Sequence, residues 1–282
     1  RGNIGVSHNG TDDHGIVMQK VNERRRNLKL KLRDRQQVFS GWTSLSHPSV
    51  TEIFARSGVD FVGIDIEHST ISQEQSQRII AACQGTGTLC LPRIASHNME
   101  AIKRLLDSGA DGIIVPMVNI QEEVEQLISW CKYPPLGTRS FGISRGQGYG
   151  FDFHDYTKTW NESSTLIIQI ESIQGVENIE KLLSYPDVDG AMIGPYDLSG
   201  SLGIPGQLDH PLVVEAGKKV IAACAQYGKA CGTQLIEPDF ENVNTAFSAG
   251  YTFVVLASDI FLLWKWSEKM GTMMSKLRSN KN

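Results

Sequence analysis

Short apolar runs recur along the chain from residue 38 onward, separated by stretches whose apolar positions follow a helical spacing. Eight of the runs read as strands, at 38–43, 61–64, 89–94, 112–115, 166–170, 190–193, 230–234 and 253–256. Between them the segment 99–108 places Ile102, Leu105 and Leu106 on one face, with Lys103, Arg104 and Asp107 elsewhere. Several strands are approached in the same way, through Ser57-Gly-Val-Asp60, Ser108-Gly-Ala-Asp111, Pro186-Asp-Val-Asp189 and Ser248-Ala-Gly-Tyr251. Each is a helix stop followed by a buried run, as short helix-to-strand loops require. Strand–helix units in this number predict an α/β fold, a single (β/α)8 barrel, with a doubly wound open sheet as the structural alternative.

Two regions break the rhythm. Residues 133–164 form a long connection rich in Gly, aromatic and Arg residues, after the fourth helix and before the fifth strand, which puts it nominally on the bottom of the barrel. Its Gly146-x-Gly148-x-Gly150 neither follows a strand nor opens a clear helix, so it is a weak phosphate loop. Near the start, residues 20–35 hold eight Lys/Arg against two acids, a local +6 within a net charge of −4. Val17, Val21, Leu28 and Leu32 fall at roughly helical spacing there, which predicts a basic helix packed on the outside or bottom of the barrel. Residues 1–26 read as a leader, partly flexible or derived from cloning, and 27–282 as one barrel domain.

At 282 residues and 40% hydrophobic content the chain can bury one large core, and its slight acidity does not suggest a nucleic-acid partner. Five cysteines, odd in number and without a CxxC pair, point to a reducing compartment rather than to disulfides or structural zinc. No apolar run reaches membrane-spanning length and no signal-peptide core opens the chain, so the expected location is cytoplasmic, without membrane contact.

The chemistry lies where strands end. Glu171 closes the apolar run 165–170, and Asp197 follows the run 188–193 in Gly194-Pro-Tyr-Asp197. Such hard oxygen ligands at the carboxyl ends of neighbouring strands suit a divalent cation such as Mg²⁺. Asp65-Ile-Glu67-His68 follows the second strand, Arg93 ends the third, and Gln169 lies in the fifth. A histidine near a metal can serve as a base, and a guanidinium can hold a carboxylate and stabilise an oxyanion. Backbone amides around Gly194 and Tyr196 can receive a substrate carboxylate. Each residue alone has a bland role, such as helix capping for Glu171 and Asp197 or ion pairing for Arg93. Several strand ends offering ionisable groups to one face favour catalysis. No predicted strand contains lysine, which disfavours Schiff-base chemistry and favours a metal as electron sink.

Taken together, Asp65-Ile-Glu-His68, Pro92-Arg93, Lys103-Arg-Leu-Leu-Asp107-Ser-Gly-Ala, Val115-Pro-Met-Val118, Tyr133-Pro-Pro-Leu-Gly-Thr-Arg139, Gln169-Ile-Glu171 and Ile193-Gly-Pro-Tyr-Asp197-Leu-Ser resemble the HpcH/HpaI aldolase family, metal-dependent class II 2-keto-acid aldolases. The likeness runs from about residue 27 to about residue 270. It implies reversible cleavage of a 4-hydroxy-2-keto acid to pyruvate and an aldehyde, with Glu171 and Asp197 holding Mg²⁺ or Mn²⁺ (or Co²⁺ or Zn²⁺). Arg93 would neutralise the enolate oxygen, and His68 would act as base. Asp107, which in the family can come from an adjacent subunit, would raise the basicity of His68. Gln169 and the backbone at Gly194 and Tyr196 would contact pyruvate. Trp42, Tyr196 and Leu235 would border the acceptor aldehyde. The resemblance also implies a homohexamer or homotrimer, with Phe261-Leu-Leu-Trp-Lys-Trp266 as an exchanged C-terminal segment. Tyr196 departs from the Ser or Ala common in the family. The competing functions are an acyl-CoA lyase or oxaloacetate decarboxylase on the same scaffold, and a non-catalytic barrel.

Overall fold

A computed structural model describes residues 12–280, with the backbone alone for 12–19. Helix α1 (Asp12–Arg33) precedes the first strand, and strands then alternate with helices: β1 (Val38–Thr43), α2 (Pro48–Ala55), β2 (Phe61–Asp65), α3 (Gln73–Gly85), β3 (Leu89–Arg93), α4 (Met99–Asp107), β4 (Gly112–Val115) and α5 (Gln121–Cys131). After α6 (Phe153–Ser163) come β5 (Thr165–Ile170), α7 (Ile173–Glu177), α8 (Ile179–Leu183), β6 (Gly190–Ile193) and α9 (Pro195–Ser201). The chain ends with α10 (Pro211–Gln226), β7 (Ala230–Leu235), α11 (Phe240–Ser248), β8 (Phe253–Leu256) and α12 (Asp259–Ser279). The strands close in sequential order, all parallel, with β1 pairing to both β2 and β8. This is the expected (β/α)8 barrel, and the strand limits differ from the sequence reading by one residue at most.

Two hydrophobic layers explain the closure. Ile64, Ile80, Leu106, Ile113, Ile168 and Val220 belong to the layer between sheet and helices. Trp42, Phe61, Leu91, Ile167, Met192 and Phe253 belong to a separate interior cluster, together with Leu28 and Leu32 of α1. The predicted apolar stripe of the basic helix is therefore a plug at the amino-terminal end of the barrel.

Its cations take part as well. Arg25 Nε pairs with Asp111 at 2.7 Å, Lys29 Nζ with Asp189 at 2.7 Å and Lys31 Nζ with Asp60 at 2.6 Å. Those aspartates come from the recurring helix-to-strand loops. Each also accepts a backbone N–H from the preceding strand, at 2.9 Å in every case: Asp60 from Phe39, Asp111 from Cys90 and Asp189 from Leu166. Before β8 the same place is taken by Thr252, whose Oγ1 accepts from Cys231 N at 2.9 Å. Arg35 completes the set by donating to the carbonyls of Lys229 and Gly250. Asn22 and Arg25 are already buried, so the limit placed at residue 26 falls inside α1. Residues 1–11 and the side chain of Val17 lie outside the described residues.

The connection 133–164 is not an open loop. It contains a 3₁₀ turn (Arg145–Gly150) and α6, whose Tyr156 and Trp160 stack 5.0 Å apart. Arg139 is buried against both rings and donates to Tyr156 Oη. Helical spacing is present there, but Asp, His, Thr and Asn residues with low helix propensity hide it from a reading by apolar runs.

Candidate active site

The carboxyl ends of β2, β3, β5 and β6 bring Asp65, Glu67, His68, Arg93, Gln169, Glu171 and Asp197 to one face. Asp65 and Arg93 are register partners across the β2–β3 ladder. Arg93 donates to the Asp65 carboxylate through Nη2 at 2.7 Å and Nε at 3.2 Å, a bidentate contact that only a guanidinium fork makes. Its Nη1 lies 3.2 Å from Glu67 Oε2, and its Cζ lies 5.2 Å from the Trp42 ring centre. Trp42 is only 2% exposed, and its ring fits because residue 63 is Gly: a Cβ there would stand 2.3 Å from Trp42 Cε3. Trp42 therefore lies beneath Arg93 as packing and a cation–π support.

Burial opposes charge on Asp65, but Arg93 and the His68 amide outweigh it and hold this carboxyl below its ordinary range. Glu67 goes the other way. Burial lifts it above the ordinary value despite Arg93 and His68, and its Oε2 accepts no hydrogen bond. His68 is 70% exposed, with Nε2 3.8 Å from Glu67 Oε2.

Glu171 lies between β5 and β6. Its Oε2 accepts Met117 N–H at 2.8 Å, and Oε1 accepts from Gln169 Nε2 at 3.3 Å. Gly194 is needed for this placement, since a Cβ there would lie 2.7 Å from both Glu171 Cγ and Oε1. Burial pushes Glu171 up to about 7, and the neighbouring charges of Glu67 and Asp197 add to the rise. Asp197 is exposed in the first turn of α9. The Gly194 N–H is committed to Ile170 O and Pro195 has none, so the amides of Tyr196 and Asp197 are the ones left open at that turn. The Oε1 of Gln169 is buried without a hydrogen-bond partner.

Several candidates stand further out. Tyr196 is 64% exposed and its ring leans towards Gly206, while Leu235 is half-buried at the end of β7. Asp107 is at the opposite end of the barrel from His68 within one chain. It ends α4, where Arg139 Nη2 holds it at 2.9 Å. The buried Lys132 is also on that far side, bonded to Asn161 O and Ser164 Oγ before β5. A desolvated lysine is the type that forms Schiff bases, but this one lies 3.4 Å from Asp187 on the far side, away from Glu171 and Asp197. Asp65, Glu67 and Met117 were given no role by the sequence reading. A signal existed for Asp65, because aligning β2 with β3 sets it beside Arg93.

Among the described residues, no three His, Cys, Asp or Glu side chains converge to cage a cation. The donor set nevertheless fits one. Glu171 is a carboxylate whose charge burial opposes, with the charges of Glu67 and Asp197 adding to that and Arg93 opposing it, so a bound cation would relieve it. Mg²⁺-type ions commonly take one or two carboxylates and fill their remaining positions with water and substrate oxygens.

A family model described as HpcH/HpaI aldolase/citrate lyase matches residues 39–265. The hydroxypyruvate/pyruvate aldolase of Roseobacter denitrificans is 33% identical over 237 residues, 84% of this chain and 92% of that protein. The 5-keto-4-deoxy-D-glucarate aldolase of Shigella dysenteriae is 30% identical over 249 residues, 88% of this chain and 96% of the other. Among solved structures, an HpcH/HpaI aldolase/citrate lyase family protein from Burkholderia cenocepacia superposes with a TM-score of 0.81 at 27% identity, covering 89% of this chain and 99% of its own.

Proposed function

The chain belongs to the HpcH/HpaI aldolase/citrate lyase family and is a carbon–carbon lyase, and from that premise we propose a divalent-metal-dependent aldolase that reversibly cleaves a 4-hydroxy-2-keto acid to pyruvate and an aldehyde. The observation that carries this reading is the buried Glu171 carboxylate, fixed by the Met117 N–H on the face that also carries Asp197: burial first, and then the charges of Glu67 and Asp197, lift it to about 7, and a cation would offset both. Glu171 and Asp197 hold that cation, Mg²⁺ or Mn²⁺ by their oxygen chemistry. The chemistry supplied by such a cation is electron withdrawal from the 2-keto group, which eases scission of the C3–C4 bond. The amides of Tyr196 and Asp197, with Gln169, bind the substrate carboxylate. Arg93, fixed by Asp65 and Trp42, stabilises the oxygen that gains negative charge. His68 takes the proton of the C4 hydroxyl as the aldehyde leaves, C3 of the three-carbon fragment takes up a proton from water to give pyruvate, and both transfers run in reverse in synthesis.

A second nucleophile is favoured by the unpartnered Gln169 Oε1. Pyruvate brings no hydrogen-bond donor, whereas hydroxypyruvate carries an O–H, and the Roseobacter relative is named for both. A homo-oligomer, hexameric or trimeric with exchanged α12 helices, also belongs to this proposal. The exposed Leu263, Trp264, Trp266 and Leu277 support it, and Asp107 of the partner subunit would then stand near His68. Five free and buried cysteines support a cytoplasmic location.

The test mixes the protein with glycolaldehyde or glyceraldehyde, Mn²⁺, and either pyruvate or hydroxypyruvate, and follows consumption of both carbonyl compounds. Chelation should abolish turnover, and Glu171→Ala and Asp197→Ala should lose Mn²⁺ binding and activity together. Full activity after exhaustive chelation, or in either variant, would sink the metal reading. Use of pyruvate alone would remove the second nucleophile.

A further inference from the structure

Met117 has φ of 52°, the left-handed region that a residue other than glycine seldom adopts. Its surroundings over-determine that conformation. Asn119 Nδ2 donates to the Met117 carbonyl at 2.9 Å, His97 Nε2 is 2.7 Å from the Pro116 carbonyl, and Val118 N–H donates to Gln169 O at 3.2 Å. The outcome is one directed contact, Met117 N–H to Glu171 Oε2 at 2.8 Å. The Met117 side chain itself is 43% exposed. Backbone strain kept at a site is informative when it aims a group that a relaxed chain would aim elsewhere.

We propose that Met117 is a positioning residue that acts through its backbone: the left-handed turn ties down Glu171 Oε2 and leaves Oε1, held only by the 3.3 Å bond from Gln169, as the oxygen offered to the cation. The inference rests on the metal reading above, but the contact itself stands apart from it. Residue type at 117 then matters for the φ it tolerates and not for its thioether. Glycine and asparagine accept the left-handed region, whereas a β-branched residue resists it and turns the N–H away from Glu171.

The test compares Met117→Gly, Met117→Asn and Met117→Val with wild type, reading Mn²⁺ affinity from the free-ion electron paramagnetic resonance signal. Outer-sphere contacts of this kind change metal affinity by about 10- to 100-fold, so the Val variant should bind at least about tenfold more weakly. The Gly and Asn variants should stay within about threefold. Equal losses in all three would assign the role to the side chain and overturn the proposal, as would wild-type affinity in Met117→Val. A second readout needs no metal and covers a Val variant that fails to fold: ¹⁵N-methionine labelling gives an amide signal for each of the seven methionines. In Glu171→Ala the Met117 amide proton should move upfield more than the rest. A stationary signal overturns the contact, and a wild type that takes up no Mn²⁺ overturns the metal reading together with the role given to Met117.

Discussion

Glu171 is where residue-scale physics is most exposed to measurement. Its folded-state value of about 7 lies above the ordinary 4.5, so without metal the protonated form is the one the fold favours. The stabilisation is complete below the unfolded value and is lost as pH rises through 7, a penalty on the order of 3 kcal/mol when fully developed. In chelator, Glu171→Gln should therefore melt above wild type near about pH 8, and the gap should shrink as pH falls towards about 4.5. A gap independent of pH would mean that Glu171 is not desolvated as described. Arg93→Lys should lose roughly 100-fold in kcat/KM, because an ammonium cannot grip Asp65 through two nitrogens while lying over Trp42. Near-normal turnover would remove Arg93 from that role. His68, Arg93, Glu171 and Asp197 were legible because each follows an apolar run. The hold of Asp65 on Arg93 was not, since it depends on register across two strands, and Met117 was hidden because a dihedral angle leaves no mark on composition.

At the scale of elements, period and turn chemistry placed every strand, because buried parallel strands keep nearly continuous apolar runs. The recurring Asp before β2, β4 and β6 was visible too, but only as a helix stop. Its double use, holding a backbone N–H of a neighbouring strand and a cation of α1 with the same carboxylate, requires the closed barrel. That use separates two adjacent arginines. Arg25 and Asp111 are 3% and 1% exposed, whereas Arg26 reaches the exposed Glu162 only at 3.9 Å. Arg25→Ala should cost about 3 kcal/mol in urea unfolding, towards the low end for a broken buried pair because Asp111 keeps the Cys90 N–H and Gln84 Nε2. Arg26→Ala should cost less than about 1 kcal/mol. Equal costs would show that α1 is held by its apolar stripe alone.

For the whole molecule, α12 is the element that the barrel does not satisfy. Leu263, Trp264, Trp266, Met273 and Leu277 are each more than 45% exposed along it, and a groove beside it is lined by Glu237, Lys265, Thr272 and Met273. An exposed apolar face of this extent is the kind that a second copy of the chain covers in the proposed oligomer. Light scattering should give a multiple of 31.1 kDa, and truncation after Ala257 should reduce it; a monomeric full-length chain would refute the exchange. The plug formed by α1 has a different consequence, in time rather than in equilibrium. Its pairs join residues 86 and 160 positions apart, and the docking surface for Lys29 exists only once β6 has been laid down. A contact that forms after the barrier is crossed acts on the unfolding rate and not on the refolding rate. Loss of Arg25 or Lys29 should then leave refolding nearly as fast while unfolding accelerates, which makes α1 the latch that sets how long the barrel stays shut.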